Sequence, residues 1–586
     1  MDMKKIINRP EDVVLEMCSG IAHANPDVVW NPKYKIIRKK SLNPGKVTLI
    51  SGGGSGHEPA HAGYVGKGML DAAICGDVFA SPSQVQVYQG LRETAGEKGT
   101  LLIVKNYSGD LMNFSNAAAM AKEEGISVEM VKVEDDIAVM DSLYTVGRRG
   151  VAGTVFVHKI AGAAAEKGRD LSQVCAAAQK AADNVRTIGF AYSSCTVPAA
   201  GTPTFELGDT QMEYGVGIHG EPGRSRENMQ TADEMAHRMV TQLLEDLSLE
   251  KGEEVALLVN GFGATPLQEL YLMNYSVNRE LDKRGIPVYR EFVGNYMTSI
   301  DMEGCSISLL KLDEELKELL DFPSTAPYFR VDGPVEKAVF MPLLKKAEKI
   351  EGEMRCEESW RVISKEGMTV ENIAAMVYQM CQCILKNEKA FCKLDSYAGD
   401  GDFGMSIAKG FREVKREWEM LLEEKFSTVQ EFLLACSMII MENCGGASGP
   451  VWGSAFRAAA LAAGEKKVLD LDDFAAIVEN AVAGIQKTGE RSFGRGAVLG
   501  DKTLIDALIP CSLALRAAAD QKLLWKAALK EGAKKAKEGA EKTKEMVARM
   551  GRAGTVGERS LGYPDAGAYA LGVIFEEIAS FMREEA

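Results

Sequence analysis

Along residues 1–330, short apolar runs that stop at glycine alternate with stretches whose apolar residues recur every three or four positions. Lys46–Ser51 (KVTLIS), Thr100–Lys105 (TLLIVK), Ile126–Val133, Glu254–Asn260 (EVALLVN), Ile286–Phe292 and Ser306–Leu310 read as strands. Helical stretches such as Asn116–Glu124 fall between them. Continuous apolar runs suit strands covered on both faces, so the pattern predicts an α/β architecture with a buried, mainly parallel sheet. The Ser-, Thr-, Pro- and Gly-rich stretch 187–207 marks either a subdomain division near residue 186 or a long active-site loop.

After about residue 331 the pattern changes. Residues 333–366 are charged, lack strand alternation and read as a connecting segment. Beyond them no strand is predicted. Val370–Lys393, Thr428–Asn443, Ser454–Ala463, Asp472–Lys487, Asp501–Ala519 and Leu523–Arg549 carry helical spacing. The expected fold is therefore multidomain: an α/β region over residues 1–332, in two subdomains, then an all-helical domain over 367–586. The Lys-rich stretch 526–549 alternates lysine with alanine and glutamate at helical spacing, which reads as a solvated helix face.

Composition narrows the function. At 586 residues the chain holds two to four domains. Its 83 acidic against 68 basic residues give a net charge of −15, which argues against a general nucleic-acid binder. No signal peptide and no apolar run of membrane-spanning length is read, so no membrane partner is expected and the cytoplasm is the default compartment. The twelve cysteines lack paired zinc-site spacing and are expected to be reduced and mostly buried.

Three segments carry candidate chemistry. SGGGSGHEPAHAGYVGKG (51–68) follows a strand and supplies glycines where backbone turns tightly or approaches a ligand. It is neither a dinucleotide fingerprint, since His57 takes the third glycine position, nor a Walker A loop. His57 and His61 at i, i+4 lack the HExxH pattern of a metal pair. GVGIHGEPG (215–223) sets His219 between Gly217 and Gly220, where the ring is either an accessible bend histidine or a capped turn. Lys105 and Asp110 lie where KNYSGDLMNF leaves a strand, the end at which open α/β sheets bind ligands. In the helical half, Asp395, Asp400 and Asp402 in LDSYAGDGDFG repel one another unless a cation neutralises them. Counted from Asp400, position 12 is Phe411, so the loop is no EF-hand, and hard oxygen ligands favour Mg²⁺ held jointly with phosphate. CGGASGPVWGS offers glycine N–H groups and the Ser448 hydroxyl at a helix start. GDKTLIDAL (500–508) and the glycine-rich 551–567, with Arg552 and Arg559, are further lining candidates.

With these motifs in order, and with IVKNYSGDLMNF, SSCTVPAAGTP, MEYGVGIHGEPG, GGASG and GRAGTVGERSLGYPDAGA beside them, nearly the whole chain resembles the ATP-dependent dihydroxyacetone (glycerone) kinase family in its fused form. The resemblance implies phosphorylation of a short ketose, with His219 bonded to the substrate carbonyl carbon as a hemiaminal. It implies Asp110 as general base, and His57 hydrogen-bonding the substrate or sharing its proton transfer. Gly54, Ser55, Gly56 and Lys105 match substrate contacts. Asp395, Asp400 and Asp402 match Mg²⁺ ligands, and Phe403, Gly404, Met405, Ser406, Ala447, Ser448, Arg552, Asp565, Ala566 and Gly567 match ATP contacts. The helical domain is then a barrel of antiparallel helices, and the protein a homodimer in which that domain covers the partner's substrate site. Two positions depart from the family pattern: Phe403 replaces a Cys or His, and Ala447 a Thr. The family also includes kinases of four- and five-carbon ketoses such as erythrulose or apulose, versions using a phosphotransferase system, an FAD-cleaving lyase and ketose-sensing coregulators.

Overall fold

The computed structural model describes residues 4–140, 145–336, 339–343, 354–424, 426–551, 554 and 557–585. The chain divides into two compact units between residues 343 and 344. Of the connecting segment expected over 333–366, residues 337–338 and 344–353 lie outside the described residues.

The first unit begins with helix α1 (Val13–Ala24) and a six-stranded sheet. Its strands are β1 (Val28–Asn31), β2 (Ile36–Lys39), β3 (Thr48–Ser55), β4 (Ala72–Val78), β5 (Thr100–Lys105) and β6 (Val128–Val133). They lie in the order β1-β2-β4-β3-β5-β6, with β4, β3, β5 and β6 parallel and β1 and β2 added antiparallel at one edge. Helices α2 (Gln84–Thr94) and α3 (Ser108–Glu123) cover one face; α4 (Thr154–Glu166) and α5 (Leu171–Asp183) cover the other. Strand β5 shows why its sequence does not alternate. Leu102 and Val104 pack with Val87 and Phe114, while Leu101 and Ile103 pack with Val155 and Ala178, so both faces are dry.

The second sheet corrects the expectation of mainly parallel pairing. Its elements are β7 (Val185–Ala191), β8 (Gln211–Tyr214), β9 (Ser225–Asn228), α6 (Ala232–Leu247), β10 (Val255–Gly261), α7 (Leu267–Arg284), β11 (Val288–Gly294) and β12 (Gly304–Lys311). The order is β11-β10-β12-β7-β8-β9, and only β10–β11 is parallel. Helix α7 is the crossover that joins this parallel pair; α6 carries the chain from β9 across to β10, and loops join β7 to β8 and β8 to β9, which places those neighbours antiparallel. Residues 192–210 are one such loop, between β7 and β8. Ala256, Leu258 and Leu310 of this sheet enter the same core as Leu49, Leu101 and Ile103 of the first, so one apolar layer joins the sheets. Helix α8 (Glu314–Asp321) packs against α4.

The second unit is mostly helical. It comprises α9 (Val370–Asp395), α10 (Phe403–Arg416), the short α11 (Trp418–Glu423), α12 (Val429–Asn443), α13 (Ser448–Ala463), α14 (Leu471–Phe493), α15 (Ile505–Asp520), α16 (Trp525–Lys542) and α17 (Ala566–Phe581). Leaving out α11, each helix packs on the next and α17 returns to α9, which closes a ring of eight around one apolar core. Reciprocal capping boxes start α12 at Thr428/Glu431 and α14 at Asp470/Asp473. Helix α16 buries Trp525, Ala528, Leu529, Gly532, Ala533, Ala536, Gly539 and Ala540, a stripe at three- and four-residue spacing. Its lysines fall on the opposite, solvated side, as the sequence pattern predicts. A short strand pairing in this unit joins Val362–Ile363 to Arg583–Glu584.

Candidate active site

The two sheets place the N-terminal candidates at one locus. Strand β3 ends in Gly52–Ser55, and the chain turns at Gly56 to present His57. His219 sits on the β8–β9 connection of the second sheet. The imidazoles meet with Nε2 to Nε2 at 3.1 Å and ring planes nearly perpendicular. Hydrogen-bond partners assign the tautomers. His57 Nδ1 lies 2.8 Å from the Thr298 carbonyl, which only accepts, so His57 carries its proton on Nδ1. Its Nε2 then accepts from His219 Nε2–H, and His219 Nδ1 is left buried without a partner.

Burial keeps His57 neutral, its pKa well below the ordinary imidazole value, with His219 and Lys105 adding repulsion. Burial lowers His219 as well, followed by Lys105 and Arg149. His219 keeps a partly exposed edge, and solvent at that edge softens the shift without reversing it. The His219 loop is held from behind. Glu221 accepts the His219 backbone N–H at 2.8 Å, and the buried Arg149 bonds Glu221, the Gly215 carbonyl and Asp136. Tyr107 packs edge-on against the His219 ring, centroids 4.4 Å apart.

Lys105 closes β5, and Asp110 stands in the first turn of α3; both are buried. The sequence pattern placed that turn in a loop before a helix at Asn116, but α3 starts at Ser108 and fixes Asp110 rigidly. Asp110 has its pKa raised by burial, with Lys105 and Ser81 opposing, and its Oδ1 has no partner. Gly53 explains one glycine of the run. Its φ is +155°, and a Cβ there would lie 2.6 Å from Lys105 Nζ. Gly54 explains another, since a Cβ would lie 2.7 Å from the Ala80 nitrogen. Ser55 donates to the Gly76 carbonyl at 2.8 Å.

In the helical ring, Asp395 ends α9, and Asp400 and Asp402 lie in the turn before α10. One carboxylate oxygen from each falls within 4.8 Å of the others. Among the described residues this is the one group of three or more His, Cys, Asp or Glu side chains so placed. Asp395 Oδ2 accepts from the Gly401 N–H at 2.9 Å, which fixes the loop and turns the carboxylate inward. A hard-oxygen donor set of this size fits a divalent cation such as Mg²⁺.

Next to the aspartates a cavity of about 220 Å³ is lined by Phe403, Ser406, Gly445–Ser448, Lys502–Leu504, Met550, Gly551 and Asp565–Gly567. Four helices, α10, α13, α15 and α17, begin at or beside this lining. Helix N-termini, with their free N–H groups and positive dipole ends, are suited to anionic phosphate. Sequence reading named a helix start at Ser448 and a helix over Asp501–Ala519, close to α15; the starts of α10 and α17 escaped it because glycine-rich stretches looked like loops. Gly404 is buried against α9 and Met405 is exposed, and neither belongs to the lining. Arg552 lies outside the described residues. Lys502, within the expected GDKTLIDAL segment, spends its ammonium on the backbone carbonyls of Met546, Ser560 and Tyr563, tying down the strap that ends at Asp565. Asp565 has its pKa raised to about 7, mainly by burial.

A histidine–lysine–aspartate cluster in the α/β unit and an aspartate-lined cavity ringed by helix N-termini in the helical unit suit phosphoryl-transfer chemistry. Comparison with known proteins gives the family. The Dak1 domain matches residues 19–328, and the DAK2 domain residues 397–580. Triokinase/FMN cyclase of Mus musculus is 35% identical over 603 residues, covering 100% of each chain. The dihydroxyacetone-binding subunit DhaK of the PTS-dependent dihydroxyacetone kinase of Lactococcus lactis is 51% identical over 316 residues, 54% of this chain and 95% of that one. The crystal structure of the dihydroxyacetone kinase from C. freundii in complex with AMP-PNP and Mg²⁺ superposes with a TM-score of 0.60 at 30% identity, covering 99% of both chains. The chain belongs to the dihydroxyacetone kinase family, with both of its domains fused. No helix among the described residues is long and apolar enough to cross a membrane.

Proposed function

We propose that the chain phosphorylates a short-chain ketose with Mg²⁺ and ATP, dihydroxyacetone being the leading substrate. The observation that carries this reading is the neutral, partly open His219 ring, with one nitrogen unpartnered, beside His57, in a chain of this family. Such a ring suits attack on a carbonyl carbon. Its lone pair forms the C–N bond, the carbonyl π pair moves onto oxygen, and the ring N–H proton ends on that oxygen, giving a hemiaminal. Glycerol offers no carbonyl, so the bond selects ketoses over polyols. Asp110, with its free Oδ1, takes the proton of the acceptor hydroxyl, a role worth roughly 10²–10⁴-fold. His57 hydrogen-bonds the substrate or shares that proton transfer, and Gly54, Ser55, Gly56 and Lys105 complete the substrate contacts.

Asp395, Asp400 and Asp402 would hold Mg²⁺, and Phe403, Ser406, Ala447, Ser448 and Asp565–Gly567, with Gly404, Met405 and Arg552, the nucleotide. The bound ion neutralises phosphate charge and orients the transferring group. Cytoplasm supplies ATP and keeps the twelve free cysteines reduced.

Assay with Mg²⁺–ATP against a panel of three- to five-carbon ketoses, glycerol and FAD tests the reading. The highest kcat/KM is expected for dihydroxyacetone, and none for glycerol. A longer ketose in first place moves the substrate assignment, and FAD turnover alone overturns it. In the same assay kcat/KM should fall as pH drops through the pKa of Asp110. Burial raises that value, so the acid limb should lie above the ordinary aspartate range.

We also propose a homodimer. Mixing a His219→Ala chain with an Asp402→Asn chain, under demonstrated subunit exchange, should restore a fraction of wild-type activity. One intact ketose domain then works with an intact nucleotide domain of the other chain. No recovery in proven heterodimers would place catalysis within single chains.

A further inference from the structure

The second histidine of HEPAH stands outside the set described so far. His61 lies in the turn after Pro59, 5% exposed, and its Nε2 is 3.0 Å from Lys105 Nζ. Its other nitrogen faces Ser51 Oγ at 3.4 Å. The direction of this chain of bonds follows from its far end. Ser51 spends its hydroxyl proton on the Ile103 carbonyl at 2.7 Å, so its oxygen can only accept from His61. His61 therefore carries its proton on Nδ1 and offers a lone pair on Nε2. Lys105, an ammonium with donors only, fills that acceptor.

The surroundings leave the ammonium little choice of position. His158 of α4 packs edge-on against His61 at 5.2 Å, and neither of its nitrogens is hydrogen-bonded, so the ammonium is held by His61 and His158 contributes packing. Gly53 passes so close that any side chain there would strike Nζ, and Asp110 Oδ2 lies on the same side of that glycine. The end of Lys105 is thus caged between the Gly53 backbone, the Asp110 carboxylate and the His61 lone pair. A four-carbon side chain with free rotamers would otherwise scatter its charge over several ångströms and lose aim with each hop.

We infer that His61 is a positioning residue: through the Ser51–His61–Lys105 chain it fixes the Lys105 ammonium beside Asp110 and the substrate. This rests on the ketose-kinase reading for its catalytic consequence, though not for the geometry. An imidazole serves here because it is a neutral acceptor that a neighbouring hydroxyl can lock into one tautomer. A carboxylate at the same place would compete with Asp110 for the ammonium.

His61→Phe fills the ring's volume without an acceptor, and His61→Gln keeps one. Losing a positioned, charge-assisted bond costs roughly tenfold or more. The Phe variant should therefore drop kcat/KM for the ketose by at least about tenfold, with KM for Mg²⁺–ATP unchanged and a cooperative melting transition kept, though at a lower temperature than wild type. Gln should recover most of that loss. Crystals of the three proteins should show Lys105 Nζ in place in wild type and Gln, and displaced in Phe. Should Phe fail to fold, His61→Leu carries the same comparison. A folded Phe or Leu variant with wild-type ketose kinetics and an unmoved Lys105 overturns the proposal, as does a folded Gln variant as impaired as Phe. A wild-type protein inactive on every ketose removes the kinase reading instead, and the position of Lys105 in the crystals then decides the matter alone.

Discussion

A His219→Ala chain should fold normally and lose ketose phosphorylation by on the order of 10³-fold or more, the scale expected when a covalent anchor and its orientation are removed together. The fold should survive because the loop is not held by the imidazole. Glu221 takes the residue's backbone N–H, and Arg149 ties Glu221 to Asp136 and to the Gly215 carbonyl. What the substitution removes inside the protein is one hydrogen bond to His57 and the edge-on ring contacts with Tyr107 and Phe79. His57 Nε2 is then left without its donor, a cost of about 1–3 kcal/mol if water could not follow. The site is partly open at His219, so water can follow and the melting temperature should barely move. Mg²⁺–ATP binding belongs to the other unit and should be unchanged. Wild-type crystals soaked with dihydroxyacetone provide the sharper check. Continuous density from the ring to the substrate carbon is expected, and a ligand at full occupancy lying unlinked beside His219 would sink the hemiaminal.

How far the sequence carried this picture varies by element, for physical reasons. TLLIVK was legible because a strand buried on both faces has no reason to alternate. SREN of β9 was not, since it pairs along one edge and carries no apolar residue. The parallel expectation failed in the second sheet because hydrophobic runs report burial and say nothing of strand direction, which the connections decide. Helices α10 and α17 begin in GDFG and DAGA, sequences rich in glycine, which costs about 1 kcal/mol relative to alanine in a helix, so they were read as loops. Small residues there keep the first turns open beside the cavity. His57, Lys105, Asp110 and His219 could be nominated one by one from glycine-flanked motifs, but their meeting could not, because it depends on how the two sheets share a core. His61 was set aside in the sequence, because its i, i+4 spacing to His57 lacks the HExxH pattern of a metal pair and no other role was legible. The turn around Pro59 breaks helical geometry and gives the two rings different partners, His219 for one and Lys105 for the other.

The aspartate cluster makes the second large prediction, and its sign differs with and without metal. Three carboxylates whose oxygens come within 4.8 Å repel in the absence of a cation, and with one they become its ligands. Asp402→Asn removes one of those charges and keeps nearly the same shape. The residue caps α10 without a side-chain cap bond, so helix formation should not suffer. In metal-free buffer the variant should therefore melt at or slightly above the wild-type temperature. Adding Mg²⁺ with ATP should raise the melting temperature of wild type and leave the variant nearly unmoved, because only binding to the native state stabilises it. Affinity for Mg²⁺–ATP by calorimetry should fall by more than the roughly 10–100-fold that follows loss of even an outer-shell metal partner. Ketose binding to the α/β unit should persist, separating loss of the nucleotide from general damage. Removing Asp395 instead should cost more, since its Oδ2 also holds the loop through the Gly401 N–H, and there the metal-free protein should be destabilised as well. Unchanged Mg²⁺–ATP affinity with normal turnover in Asp402→Asn would remove the metal from these three aspartates. The helix N-termini around the cavity would then have to hold the phosphates alone.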